Sequence, residues 1–157
     1  MDYVAGIDIG STSTKGILVD STTKRIFSTN KMHNLRVNDK GESEGLSENF
    51  FIEVISILKE MINKLSIQPN HLKNITISGF ESVSFIGEDG QEVRPMVSYL
   101  DSRSEDIANR FGQDLGWNNI FEITKNRPSS IFEGYKMMWA FQNENILKKT
   151  KKVLDVA

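Results

Sequence analysis

The residues best equipped for chemistry lie together near the start of the chain. Gly6-Ile7-Asp8-Ile9-Gly10-Ser11-Thr12-Ser13-Thr14-Lys15-Gly16 packs an acid, a glycine and four hydroxyl side chains into the turn between two apolar runs. Asp8 interrupts an apolar strand at a position expected to be half buried, where an uncompensated carboxylate is costly and calls for a cation or donors. Gly10 lets backbone approach closely. Successive N–H groups with the hydroxyls of Ser11, Thr12 and Ser13 then make a pocket suited to phosphate oxygens, with Lys15 adding charge. Asp8 could hold a hydrated Mg²⁺ there. A polar hairpin loop accounts for the same residues equally well. The patterns G-x-x-x-x-G-K-[ST] and G-x-G-x-x-G are not matched: Lys15 precedes Gly16 and the segment leads into a strand, so phosphate binding at a helix N-terminus is not the mode this loop would use.

Other classes of chemistry are excluded by composition. There is no Cys among the 157 residues, which removes disulfide scaffolds and thiolate-ligated metal sites. Nineteen Lys+Arg against 21 Asp+Glu leave a net charge of −2, so no chain-wide field attracts nucleic acid or an anionic membrane. No apolar run reaches the roughly 18 residues that a membrane span needs, and the acidic start is not a secretory signal. A cytoplasmic setting is expected. His33 and His71 are far apart in sequence and are read as surface or loop residues; Trp117 and Trp139 are read as packing.

The elements that must carry the loop can be read from periodicity. Val4–Ile9, Gly16–Asp20 and Arg25–Ser28 read as short strands joined by hairpins. Asn38–Gly45 is polar and Gly-punctuated and reads as a surface loop with nothing to bury. From Ser47, a plausible N-cap, Phe51, Val54, Ile55, Leu58, Met61, Ile62 and Leu65 recur at helical spacing and define one apolar face. Ile75–Gly79 reads as a buried strand closed by a glycine, Val83–Ile86 and Glu92-Val93 as a hairpin around Asp89-Gly90, and Met96–Leu100 as a further strand. Ser102–Glu105 and Ser130–Glu133 have capping-box spacing ahead of helices carrying Ile107, Ala108, Phe111 and Leu115, and then Tyr135, Met138, Trp139 and Ile146. Val153–Ala157 reads as a last strand. The order predicts an α/β fold with a mixed sheet, N-terminal hairpins and helices on its faces, in one domain.

The segment Gly6 to Lys15, with its D-x-G-[ST]-T-x-[ST]-[KR] pattern, resembles the first phosphate loop of the actin/hexokinase ATPase superfamily. Arg94-Pro95-Met96-Val97-Ser98-Tyr99-Leu100-Asp101-Ser102-Arg103 resembles the R-P-x-x-x-W-x-D-x-R signature of the FGGY carbohydrate kinases. Together the two imply a ribonuclease H-like (actin-like ATPase) fold, with residues 1–157 as the N-terminal part of a kinase whose C-terminal nucleotide-binding domain is absent. They imply ATP and Mg²⁺ as cofactors and a sugar or polyol as substrate, a pentulose such as xylulose being favoured; a homodimer is admitted. By the same resemblance Asp8 serves the metal and the γ-phosphate, and Gly10, Ser11, Thr12, Ser13 and Lys15 surround the phosphates. Phe80, Glu81 and Ser82 are candidate sugar contacts, with Asp101 and Arg103 at the pocket's base, where a carboxylate and a guanidinium can bind hydroxyls. An ion pair that orders a helix start is the competing reading of Asp101 and Arg103. Tyr99 stands where the family usually has Trp, and Phe80-Glu81-Ser82 matches neither the xylulose nor the glycerol kinase pattern. The general base is expected beyond this segment, so the segment alone is expected to be inactive. Two alternatives are a non-catalytic binding module with half an actin-like fold, and an activator ATPase of the 2-hydroxyacyl-CoA dehydratase type, whose iron–sulfur cluster would need the missing Cys.

Overall fold

The computed structural model describes residues 1–155. The chain divides into two compact units, one formed by Met1–Leu35 with Leu46–Phe80, the other by Arg36–Gly45 with the residues from Glu81 onward.

The first unit is built on strands β1 (Tyr3–Ile9), β2 (Ser13–Asp20) and β3 (Ile26–Met32), helix α1 (Ser47–Lys64), and a further strand, here β6 (Leu72–Gly79), with β4 and β5 falling in the second unit. Its sheet runs β3-β2-β1-β6 and is mixed, because β1 pairs antiparallel with β2 and parallel with β6. The pleat sorts the residues: Ala5, Ile7 and Ile9 of β1 are buried, while Val4 and Asp8 on the opposite face are exposed. Thr14, Gly16 and Leu18 of β2 lie opposite Ile9, Ile7 and Ala5 and are buried too. A methyl group at Gly16 would sit 2.3 Å from Ile57 Cγ2 and 3.0 Å from Met61 Cε, so the glycine sets how closely α1 packs on the sheet. The turn into β3 is held by Asp20, whose Oδ1 accepts from Thr22 N at 2.8 Å and whose Oδ2 accepts from the Thr23 hydroxyl at 2.8 Å. Those Thr23 and Thr22 bonds hold its carboxyl below the usual range.

The buried face of α1 is rotated from the one that periodicity suggested. Phe50, Val54, Ile57 and Met61 are the buried residues. Phe51 is 67% exposed and Leu65 42%. The apolar residues are dense enough to offer two overlapping stripes, and the sheet selects one. The N-cap is Leu46 rather than Ser47.

The second unit holds β4 (Arg36–Val37), β5 (Ser43–Gly45), β7 (Ser82–Ile86), β8 (Met96–Ser98) and β9 (Lys152–Leu154) in the order β4-β5-β8-β7-β9. Helices α2 (Glu105–Leu115), α3 (Trp117–Thr124) and α4 (Glu133–Asn143) complete it. This antiparallel sheet adds to the single mixed sheet expected, and α3 has no counterpart in the sequence reading. Val83, Phe85, Val97, Ala140 and Ile146 form its core, with Trp139 and Phe141 packed against them.

Four local expectations are corrected. The strand at 75–79 is not buried: β6 lies at the edge of its sheet, with Ile75 and Ile77 47% and 51% exposed. The stretch 38–45 is not a loop with nothing to bury: Ser43 and Glu44 are 1% and 3% exposed, because Glu44 is paired with arginines and the Ser43 hydroxyl shares a 2.8 Å hydrogen bond with that of Ser98. Neither capping box forms. The N-caps are Ser104 and Phe132 without side-chain bonds, and Glu105 accepts from Ser130 N at 3.1 Å instead of closing back on its own helix. The hairpin around Asp89-Gly90 does turn, with Gly90 at φ +79° and Gly87 N donating to Gln91 O, but only a single bridge, Ile86 to Glu92, follows it. Residues 156–157 of the expected last strand lie outside the described residues. No described helix is long and apolar enough to cross a membrane.

Candidate functional site

In the first unit the phosphate-loop candidates occupy the β1–β2 hairpin. The turn proper is only Gly10–Thr12, closed by Gly10 N donating to Ser13 O at 3.0 Å; Ser13, Thr14 and Lys15 belong to β2. A side chain at Gly10 would meet Ser13 O at 3.1 Å, so the tight turn itself requires the glycine. Asp8 and Lys15 are register partners, and their charged groups lie 3.6 Å apart. Asp8 is more open than expected: its side chain is 56% exposed, and Lys15 supplies the cation. Thr12 is exposed and Ser11 intermediate, whereas Ser13 is buried, which leaves Ser11, Thr12 and Lys15 as the polar groups a phosphate could reach. No group of three or more acidic, His or Cys side chains suited to a metal occurs among the described residues. A lone accessible carboxylate fits a hydrated Mg²⁺ that is carried by phosphates, since Mg²⁺ keeps most of its waters and uses one or two carboxylates.

The same unit brings the end of β6 to this turn. Gly79 pairs with Ile9, and Phe80 N donates to Ile9 O at 3.0 Å. The first of the sugar-contact candidates therefore lies beside the β1–β2 turn. His33, read as a surface residue, is instead tucked against the loop, its side chain 9% exposed.

In the second unit Glu81 O accepts from Tyr99 N at 3.0 Å and Ser82 pairs with Ser98, so the remaining candidates cluster at the ends of β7 and β8. Ser82 is 1% exposed, and its hydroxyl has no hydrogen-bond partner among the described residues. Asp101, also 1% exposed, is fully engaged: Oδ2 accepts from Arg103 Nη2 at 2.7 Å and from Ser43 N at 2.9 Å, and Oδ1 from Arg103 N at 3.1 Å. Arg103 Nη2 also donates to Glu44 Oε1 at 2.6 Å, and its guanidinium lies over the Trp139 ring at 4.1 Å. Burial works against the guanidinium's charge, but hydrogen bonds and charge from Asp101 and Glu44 outweigh it and hold its pKa above the usual value. The ion pair anticipated as the competing reading is present, and it orders the turn before α2.

Sequence reasoning missed four residues of this cluster. Glu44 also pairs with Arg36, at 2.5 Å, and with Arg94; Arg94 Nη1 reaches Glu144 at 2.8 Å. Lys136, 1% exposed in the first turn of α4, donates to Asp101 O at 2.6 Å. Trp139, one turn on, supplies the ring under Arg103. Arg94 lay inside the quoted signature, but nothing local marked Glu44 or Lys136 as buried. A separate cavity of about 370 Å³ among α2–α4, lined by Phe111, Ile120, Tyr135 and Met138, contains none of the candidate residues.

A model of the FGGY family of carbohydrate kinases, N-terminal domain, matches residues 3–156. The chain is 30% identical over 152 residues to a xylulose kinase of Bacillus subtilis, covering 96% of this chain and 30% of that protein. It is 29% identical to a xylulose kinase of Lactococcus lactis, covering 98% of this chain and 31% of the relative. A ligand-bound xylulose kinase structure from Lactobacillus acidophilus superposes with a TM-score of 0.88 at 22% identity, covering 99% of this chain and 32% of that one. The fold is therefore that of an actin-like ATPase domain, and the chain spans less than a third of the length of these proteins.

Proposed function

Since the chain belongs to the FGGY family of carbohydrate kinases, matching its N-terminal domain over residues 3–156, we propose that it is the sugar-binding, phosphate-loop part of an ATP-dependent kinase that phosphorylates a hydroxyl of a sugar, a pentulose such as xylulose. Bound MgATP supplies the γ-phosphoryl group and the metal that spreads its charge. Asp8 holds the metal's hydration shell in register. Lys15 and the Ser11 and Thr12 hydroxyls steady phosphate charge from the face of the hairpin, and Ser13 acts through its main chain by closing the Gly10 turn.

On the sugar side the observation that carries the reading is the buried, unpartnered hydroxyl of Ser82. A buried hydroxyl without a partner costs free energy that a substrate hydroxyl would recover. Glu81 offers a carboxylate at the same strand end, and Phe80 an apolar surface beside the phosphate loop. Asp101, with both oxygens in use, acts by holding Arg103. In this reading 157 residues alone transfer no phosphate, because no residue among them serves as the general base.

The test is ADP release from MgATP with d-xylulose, gluconate and glycerol, using the protein that carries this chain as its N-terminal part. The reading expects xylulose to be phosphorylated and Ser82→Ala to raise its KM about tenfold. Transfer to none of the three would overturn it.

A further inference from the structure

Both nitrogens of the His33 ring face acceptors. Nδ1 lies 2.8 Å from Glu53 Oε2 on α1, and Nε2 lies 2.8 Å from the carbonyl oxygen of Gly10 in the phosphate loop. A neutral imidazole has one N–H and would leave a lone pair aimed at the other oxygen. The Thr14 hydroxyl donates to the same Glu53 Oε2 at 2.9 Å. A bond to the Gly10 carbonyl, which can only accept, requires the proton on Nε2, and Nδ1 faces the Glu53 carboxylate.

The pair is shielded, with side chains 9% and 18% exposed, so solvent screens it little. The main chain adds a second tie, His33 N donating to Thr12 O at 3.1 Å. The ring edge also packs on Phe50, centroids 4.8 Å apart at 82°, and Phe50 packs on Phe80 at 5.6 Å and 71°. One side chain thus touches the loop, the helix beneath it and, through Phe50, the residue that ends β6.

We infer that His33 is a positioning residue: by bridging Glu53 and the Gly10 carbonyl, it fixes the Gly10–Ser13 turn on α1 so that the turn's outer edge is preformed for a phosphate ligand. The phosphate part of this inference rests on the function proposed above; the bridge does not. Without His33, the turn keeps its internal Gly10–Ser13 bond but loses its side-chain anchor to the helix. A loop that must be ordered on binding takes up phosphate more weakly than one already held.

The experiment uses the 157-residue chain with ¹⁵N-labelled histidine and backbone amides. Nε2 of His33 is expected at a protonated shift. In Glu53→Gln the Gly10–Ser13 amide signals hold their positions, because Nε2–H still reaches Gly10. In His33→Leu those amides exchange about tenfold faster while the rest of the sheet is unchanged. In the protein that carries this chain as its N-terminal part, a titration with MgATP is expected to move the same amides, with affinity about tenfold weaker in His33→Leu and the response to d-xylulose unchanged. An unprotonated Nε2 in the wild type, or a folded His33→Leu whose loop amides exchange as before, overturns the inference. The protein that carries this chain, showing the ring signature and loop protection but no response of these amides to MgATP, counts against the phosphate reading and leaves the bridge established.

Discussion

Lys136 offers the sharpest quantitative test of the buried charge cluster. Its side chain is 1% exposed, and burial lowers its pKa from 10.5 to about 8 despite the attraction of Asp101 and Glu133. At about 1.36 kcal/mol per unit, that fall corresponds to ~3 kcal/mol. The direction follows from proton linkage. The folded chain gives up this proton near pH 8 and the unfolded chain near 10.5, so between those values the unfolded chain binds more protons and stability rises with pH. Below pH 8 both states carry the charge, and the full penalty for burying it is present. Lys136→Met removes the titration but takes a donor from the Asp101 and Tyr99 carbonyls, at 2.6 and 3.4 Å from Nζ. Losing a buried donor costs about 1–3 kcal/mol, so the stability change at neutral pH is a poor readout and the slope is the informative one. Urea unfolding of both chains at constant ionic strength, from pH 7 to pH 10.5, is expected to show the wild type gaining ~3 kcal/mol on the variant across the upper range. Lys136→Arg, which cannot titrate there, should follow the variant's slope. Parallel curves for wild type and Lys136→Met would refute the assignment of a buried, pKa-lowered cation.

Two further tests probe how the units hold their candidate residues. Gly16→Ala drives a methyl to 2.3 Å from Ile57 Cγ2 and should destabilise the chain by about 1–3 kcal/mol; Ile57→Ala in the same chain should make the two losses less than additive, as urea midpoints will show. Arg103→Met leaves Asp101 without its main cation and takes one from Glu44; both are nearly fully buried, and a loss of about 3–5 kcal/mol is expected, so an unchanged urea midpoint would mean that the ion pair does not order this turn.

What could be read from residue order was what is encoded locally. The hairpin with Asp8 opposite Lys15, the strand ending at Gly79, and the turn at Asp101–Arg103 all follow from alternation, glycine placement and short motifs. The phase of α1 was not legible: Phe50 and Phe51 are adjacent and equally apolar, and only the sheet decides between them. Glu44, Arg94 and Lys136 escaped because their burial depends on partners far away in sequence, Arg94 and Arg103 for Glu44 and the Asp101 carbonyl for Lys136. In isolation, a Glu in a Gly-punctuated polar stretch and a Lys in the first turn of a helix both read as solvated. His33 was misplaced for the same reason: its anchors, Glu53 and Gly10, lie 20 and 23 residues away.

The central claim is that the Asp8 hairpin serves the phosphoryl donor while Ser82 and its neighbours serve the sugar. Steady-state kinetics of Asp8→Asn, in the protein that carries this chain, test it most directly. The account predicts that kcat for transfer from MgATP to d-xylulose falls about 100-fold or more while the KM for xylulose stays within about twofold. An unchanged kcat, or equal losses in turnover and sugar affinity, would contradict it.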